Sequence, residues 1–298
     1  MTCEKKRGAI LGAFVGDALG AVVEFLKPMP LPKEFVDEAL EMNGGGFMDL
    51  EPGQCTDDSE LMICLITALK NNEDPLPYYK AWLLTNPIDV GITCKYAFHN
   101  ESGTGNNLPE LNKESQSNGA LMRILPIAIW FYDKDDNYIA ERAREDALLS
   151  HPHAICQECN AAYCVTIASL LRGNNVHEAI LAAKNILQNI STNESNIVLD
   201  WIDEGIDILP VPRDKIGWVK WAFRLAFGLL IKETPFREAM VYVLSCGGDT
   251  DTNACIVGGM LGALWGEQGI PIEWKKKVLF SKADRPTWLH PGTIMQIF

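Results

Sequence analysis

Apolar residues recur every three to four positions through most of this chain, and nowhere in a convincing strand-like alternation. That period predicts helices over residues 5–25, 57–69, 120–132, 155–171, 176–187, 218–231, 236–244 and 252–265. In 57–69 the apolar positions are Leu61, Ile63, Leu65, Ile66 and Leu69. Start signals agree with the period. Thr56 precedes Asp57 and Asp58, with Glu60 in the first turn, and acidic side chains there answer the helix dipole. Asn193 precedes a further start. An all-α fold follows, a globular array of many helices. At 298 residues the chain is close to the size at which one core stops growing, so a single domain over 1–298 is expected. Two segments break the period and are expected to be loops. One is 28–53, with four prolines and the Gly44-Gly45-Gly46 run; the other is the polar stretch 100–118, with Gly103 and Gly105. Loops of this length usually carry function or move.

The formal net charge is −13. Such a chain repels phosphate backbones and anionic lipid at long range, which argues against nucleic acid or a membrane surface as its main partner. A nucleotide remains open as a ligand, provided backbone N–H groups and metal ions meet its phosphates. Nine cysteines, odd in number and irregularly spaced, do not read as a disulfide framework. The apolar stretch after the charged first residues is interrupted by Gly12, Gly16 and Asp17, a poor signal-peptide core. The longest apolar run, 254–265, is too short to span a bilayer. A cytoplasmic location is expected.

Two acidic clusters stand out. Thr56-Asp57-Asp58 opens one helix, and Gly247-Gly248-Asp249-Thr250-Asp251-Thr252-Asn253 opens another almost two hundred residues later. Asp and Thr are common at helix starts for capping alone. The second cluster leads straight into an apolar helix, however, and burying so many carboxylates without a cation is costly. Carboxylates and threonine hydroxyls are hard oxygen donors suited to Mg²⁺, Mn²⁺ or Ca²⁺. A carboxylate such as Asp251 is placed to bridge two ions roughly 3.5–4 Å apart, the spacing of two-metal hydrolytic sites.

With these residues in view, the chain resembles the ADP-ribosylglycohydrolase family, which includes the dinitrogenase reductase-activating glycohydrolases. Six segments match in order: Gly16-Asp17-Ala18-Leu19-Gly20 followed by Glu24; Thr56-Asp57-Asp58; 117–126 from Ser117-Asn118-Gly119 to Pro126; His151-Pro152-His153; Gly217-Trp218-Val219; and 247–253. The resemblance implies an all-α fold with a dinuclear Mg²⁺ or Mn²⁺ centre at the base of a cleft. Thr56, Asp57, Asp58 and Asp251 would hold one ion. Asp249, Asp251 and Thr252 would hold the other. The distal ribose of ADP-ribose would lie against them, with Glu24 orienting water or protonating the leaving group, and Asp17 buried beside the site. Ser117, Asn118 and Gly119, taken as a helix start with free N–H groups, would bind the diphosphate. His151 and His153 would contact the adenosine half, and Trp218 would stack on adenine. Cys156 and Cys159 nearby do not complete a familiar zinc pattern.

The implied activity is metal-dependent removal of ADP-ribose from a modified acceptor, with Glu24, Asp57, Asp58 and Asp251 as the catalytic set. The partner would be an ADP-ribosylated protein, at arginine or serine, or a small ADP-ribosylated molecule. A silent ADP-ribose-binding or crystallin-like role is the alternative, and a two-metal phosphoesterase a third; the latter would want basic groups around the transferred phosphoryl.

Overall fold

In the computed structural model, residues 2–99, 107–205 and 214–298 are described. The expected loop 100–118 falls partly outside them, over 100–106. Among the described residues the chain forms sixteen α-helices, four 3₁₀ turns and no strand. In order these are α1 (Thr2–Gly20), α2 (Lys33–Leu40), α3 (Asp57–Asn71), α4 (Leu76–Leu83), α5 (Ile92–Phe98), α6 (Glu110–Glu114), α7 (Leu125–Trp130) and α8 (Asp136–Leu148). Then come α9 (Ala154–Leu171), α10 (Val176–Ile190), α11 (Asn193–Asp203), α12 (Val219–Ile231), α13 (Phe236–Cys246), α14 (Thr250–Trp265), α15 (Ile272–Leu279) and α16 (Pro291–Ile294).

Several expectations need correction. The predicted helix 5–25 stops at Gly20, and residues 21–25 turn away, ending with Phe25 at φ +61°. The predicted helix 120–132 is broken. A 3₁₀ turn over Leu121–Arg123 leads into α7, with Pro126 near its start. Proline has no N–H to give the carbonyl four residues back, so the two pieces cannot run as one helix. The segment 28–53 is not all loop: it contains α2, with Val36, Ala39 and Leu40 buried. The stretch 100–118 likewise holds the short α6. Helix α14 begins two residues earlier than the period indicates, which puts Asp251 and Thr252 in its first turn.

The core is built around helices buried on every side. From Gly8 to Gly20 every residue of α1 is buried, and in α14 every residue from Thr250 to Ala263. The two run antiparallel in backbone contact. Small residues every four positions on α1 meet small or short residues every four positions on α14. A Cβ built on Gly8 would lie 2.5 Å from the Gly262 carbonyl oxygen; on Gly12, 2.2 Å from that of Gly258; on Gly16, 2.0 Å from that of Ala254; on Gly20, 2.3 Å from that of Thr250. Only glycine allows this approach. Helix α9 has the length and mean hydropathy of a bilayer span, but 89% of that window is buried within the fold, so it serves as a core helix. Its Tyr163 hydroxyl donates to the Ile256 carbonyl of α14 at 2.7 Å. The seam places the C-terminal end of α1 against the N-terminal end of α14, and both acidic clusters gather there.

Candidate metal centre and adjoining cleft

Asp17 organises the junction from beneath. It is fully buried on α1, and its carboxylate accepts from the Thr56 N–H (3.1 Å), the Thr56 hydroxyl (2.9 Å), the Ser59 N–H (3.2 Å) and the Ser59 hydroxyl. Burial pushes its carboxyl up to about 6 against the pull of these bonds. It thereby takes the place of an N-cap for α3, whose cap residue Thr56 makes no side-chain cap bond. The Thr56 hydroxyl proton is committed to Asp17, so its lone pairs are the part left to meet a cation.

The carboxylates above Asp17 crowd together. Asp57, Asp58 and Asp251 are buried, and burial followed by repulsion from neighbouring carboxylates (Asp89 on Asp57, Asp17 on Asp58, Glu24 on Asp251) raises all three well above the ordinary carboxylate range. Glu24, on the turn after α1, is pushed up to about 10 by burial first, then by Asp249, Asp89 and Asp57. Asp57 accepts from the Gly91 N–H at 3.2 Å, and Asp58 from the Thr252 hydroxyl at 3.4 Å. Asp249 caps the other cluster and accepts from the Asn118 amide at 2.7 Å. Two buried carboxylate oxygens, Glu24 Oε2 and Asp58 Oδ1, have no hydrogen-bond partner.

Sequence reasoning missed Asp89. It stands between α4 and α5, and its carboxylate lies within 4.8 Å of ligand atoms of both Glu24 and Asp251, the tightest acidic group among the described residues. No local pattern marks it, since Pro87 and Gly91 beside it signal only a turn. What delivers it is remote. Arg285, near the C-terminal end, forks onto Glu60 of α3 at 2.7 and 2.8 Å and donates to the Thr85 and Asn86 carbonyls at 3.1 and 3.3 Å. Trp82 of α4 donates to the same Glu60 at 2.7 Å. The loop is thus clamped over the first turn of α3.

This donor set fits a divalent cation. It is all hard oxygen, it has unpartnered buried acceptors, and among the described residues the cleft lining contains no lysine or arginine to neutralise it. Millimolar Mg²⁺ or Mn²⁺ is expected to raise the thermal midpoint of protein stripped of metal. At a hundredfold excess over Kd the gain is about 2.7 kcal/mol. An unchanged midpoint in both ions would remove the cation from the account.

Above the cluster opens a cleft of about 450 Å³, with Glu24, Asp57, Asp89, Asp249 and Thr252 at one end and Ser117, Asn118, Gly119 and His151 at the other. The 117–119 segment does not start an α-helix as expected; it precedes the 3₁₀ turn at Leu121. The Asn118 N–H is already donated to the Gly217 carbonyl at 3.0 Å, and Ser117 and Trp218 pair as a single antiparallel bridge. The Asn118 amide is therefore not a free anion donor. Gly119 is confined: a Cβ there would sit 3.0 Å from the His151 ring and 3.1 Å from Cys94 Sγ. His151 is fully buried, its ring lowered to about 3 by burial and then by the Arg123 charge. His153 instead caps α9, accepting from the Ile155 N–H at 3.2 Å. Trp218 does not line this cleft. It lines an adjoining cavity of about 460 Å³ with Lys215 and Gln116, which shares Ser117, Ile216 and Gly217 with the first. Its ring meets Trp201 and Trp221 edge-on at 5.7 and 5.6 Å, and its N–H donates to Gln116 at 3.2 Å. The two cavities adjoin through these shared residues, and Trp218 is the aromatic side chain among the described lining of the second, alongside Glu114 and Asp214.

An all-helical fold with an acidic, cation-competent cleft that adjoins a cavity beside Trp218 is the class that these features define. Within it, the chain belongs to the ADP-ribosylglycohydrolase family, whose sequence profile matches residues 2–292. It is 26% identical to the ADP-ribosyl-[dinitrogen reductase] glycohydrolase of Rhodospirillum rubrum, over 92% of this chain and 90% of that protein. It is 25% identical to the ADP-ribosylarginine hydrolase Tri1 of Serratia proteamaculans, over 93% and 75%. A solved ADP-ribosylglycohydrolase-related protein complex superposes with a TM-score of 0.77, at 26% identity over 99% of this chain and 97% of that one.

Proposed function

We propose that this protein hydrolyses the glycosidic bond between ADP-ribose and a modified acceptor, using two divalent cations, Mg²⁺ or Mn²⁺, at the base of the cleft. The observation that carries this is the buried carboxylate cluster, with its unpartnered oxygens, at one end of a cleft that adjoins a second cavity beside Trp218. Thr56, Asp57, Asp58 and Asp251 would hold one ion, and Asp249, Asp251 and Thr252 the other. Bound there, the cations would polarise ribose hydroxyls or lower the pKa of a bound water.

The chain's own residues do the rest. Asp17 fixes Thr56 and the first turn of α3. Glu24 and Asp89, at the cleft end of the cluster, orient water or move a proton at the anomeric centre. Ser117 meets the diphosphate, with Lys215 exposed in the next cavity as a counter-charge. The adenine lies in the lobe beside Trp218. Trp218→Ala is expected to weaken ADP-ribose binding by ~1–3 kcal/mol, the range for stacking on a base. A calorimetric Kd equal to that of the parent protein would return Trp218 to packing against Trp201 and Trp221.

The acceptor lies beyond the cleft mouth. The Serratia relative is named for ADP-ribosylarginine, which makes arginine-linked ADP-ribose the first substrate to test, followed by the serine linkage and small ADP-ribosylated molecules. The decisive assay is release of free ADP-ribose from arginine- and serine-modified protein, with Mg²⁺ and with EDTA. Metal-dependent release from one of them establishes the activity and its linkage. Binding of ADP-ribose with no release from either would favour the silent role. Liberation of inorganic phosphate from simple esters would favour a phosphoesterase, which the absence of basic side chains from the described cleft lining opposes.

A further inference from the structure

Arg123 is fully buried, and its guanidinium reaches two parts of the cleft wall at once. Its Nε donates to Asp146 Oδ1 at 2.9 Å and its Nη2 to the Asp146 carbonyl at 2.9 Å, which holds the group in place. Its Nη1 donates to the Gly119 carbonyl at 2.9 Å and to the Ser150 hydroxyl oxygen at 2.8 Å. Ser150 Oγ lies 2.8 Å from His151 Nδ1, and His151 Nε2 lies 2.8 Å from Ser117 Oγ. Ser117, in turn, faces the cleft.

The direction of this chain follows from what each group is able to give. A guanidinium has donors and no acceptor. Ser150 Oγ must therefore accept from Arg123, and among the described residues its other partner is His151 Nδ1 alone. Its single proton then goes to Nδ1. With Nδ1 accepting, the ring proton sits on Nε2 and is donated to Ser117 Oγ. The opposite direction would load Ser150 with two donors, strand its proton at a fully buried position, and spend the Ser117 proton on His151. A buried hydroxyl without an acceptor is penalised.

We propose that Arg123, acting through Ser150, fixes His151 as the Nε2–H tautomer and thereby sets the Ser117 hydroxyl as a hydrogen-bond donor to an anionic group in the cleft. Arg123, Ser150 and His151 are positioning residues in this scheme; only Ser117 presents its proton to the ligand. In the free protein that proton has the hydroxyls of Ser115 (3.0 Å) and Thr93 (3.3 Å) to turn to, and an anion draws it away from them. The same guanidinium tethers Gly119, so one buried charge holds both ends of the 117–119 segment. The identity of the anion as a diphosphate rests on the proposed function; the tautomer does not.

The first test uses ligand-free protein. Ring-¹⁵N histidine spectra, with the His151 signals identified by their loss in His151→Asn, are expected to show Nδ1 as a bare acceptor and Nε2 as an N–H. In Ser150→Ala the Nε2–H form should lose its dominance. An Nδ1–H ring in the parent protein overturns the proposal whatever the ligand proves to be. The second test is a double-mutant cycle on the Kd for ADP-ribose. Ser150→Ala alone is expected to weaken binding about tenfold, the scale of a hydrogen bond to a charged group. Within a Ser117→Ala background it should have no further effect. Full additivity of the two variants would show that Ser150 acts on packing rather than through Ser117, and would also overturn the proposal. Failure of the parent protein to bind ADP-ribose would count against the proposed function instead, and leave the tautomer to be decided by the spectra.

Discussion

Asp251→Asn is expected to lower ADP-ribose release by more than about 10³-fold, the scale of losing a charge-stabilising group in a buried site. The substitution keeps the size and shape of the side chain and removes its charge. Asp251 stands in the first turn of α14, within 4.8 Å of ligand atoms of Glu24 and Asp89, and it is the residue shared by both proposed ions. A second consequence separates loss of a cation ligand from loss of fold. Without metal, the variant should melt above the parent protein, because one of several mutually repelling buried carboxylates has become neutral. With Mg²⁺, the stabilisation seen in the parent should shrink or vanish. A variant with near-normal turnover at limiting Mg²⁺ would remove Asp251 from the metal centre.

The largest effect on stability is expected at the seam between α1 and α14. Gly12→Val should cost upwards of ~3 kcal/mol, the top of the range for overpacking a core. A Cβ at Gly12 would stand 2.2 Å from a backbone oxygen, and no side-chain rotation relieves a clash with backbone. The two helices would have to separate along their length. Gly45→Ala is the informative contrast. A Cβ there meets nothing within 4 Å, and only the backbone angle, φ +88°, resists it. That substitution should cost about 1–2 kcal/mol. Urea midpoints of the two variants test the ordering; equal losses would mean that the seam is looser than its glycines indicate.

Much of this architecture was legible in the chain. The 3.6-residue period located α3, α9, α12 and α14 to within a few residues, because each buries an apolar face or is buried all round. The runs 56–58 and 249–252 announced themselves because carboxylates in such density, next to apolar helices, need a reason to be buried. What escaped was set by distant contacts. Asp89 belongs to no pattern of its own and is brought to the cleft by a clamp from Arg285, nearly two hundred residues away. The requirement for glycine at position 20, where a Cβ would meet the Asp251 Cα at 2.4 Å, is set by a helix 230 residues further on. The Asn118 N–H looked available for an anion and is taken by Gly217, which only the folded chain brings near. The short α2 was hidden among prolines, whose local bias toward turns outweighed the apolar positions Val36, Ala39 and Leu40.

The seam also governs the order in which this molecule is able to assemble. Its two halves are far apart in the chain, with Gly8 against Gly262 and Gly20 against Thr250. Contacts so remote in sequence carry a large loop-closure cost and slow the folding of a chain that depends on them. During synthesis α1 emerges before α14, and its glycine face meets its partner only when residues 250–262 follow. The first acidic cluster waits with it, since Asp17 and Thr56 sit on the side of the molecule made first. The carboxylates of the two clusters are therefore brought together only when the closing helix arrives. Chaperone demand and proteolytic sensitivity during synthesis should concentrate in that window.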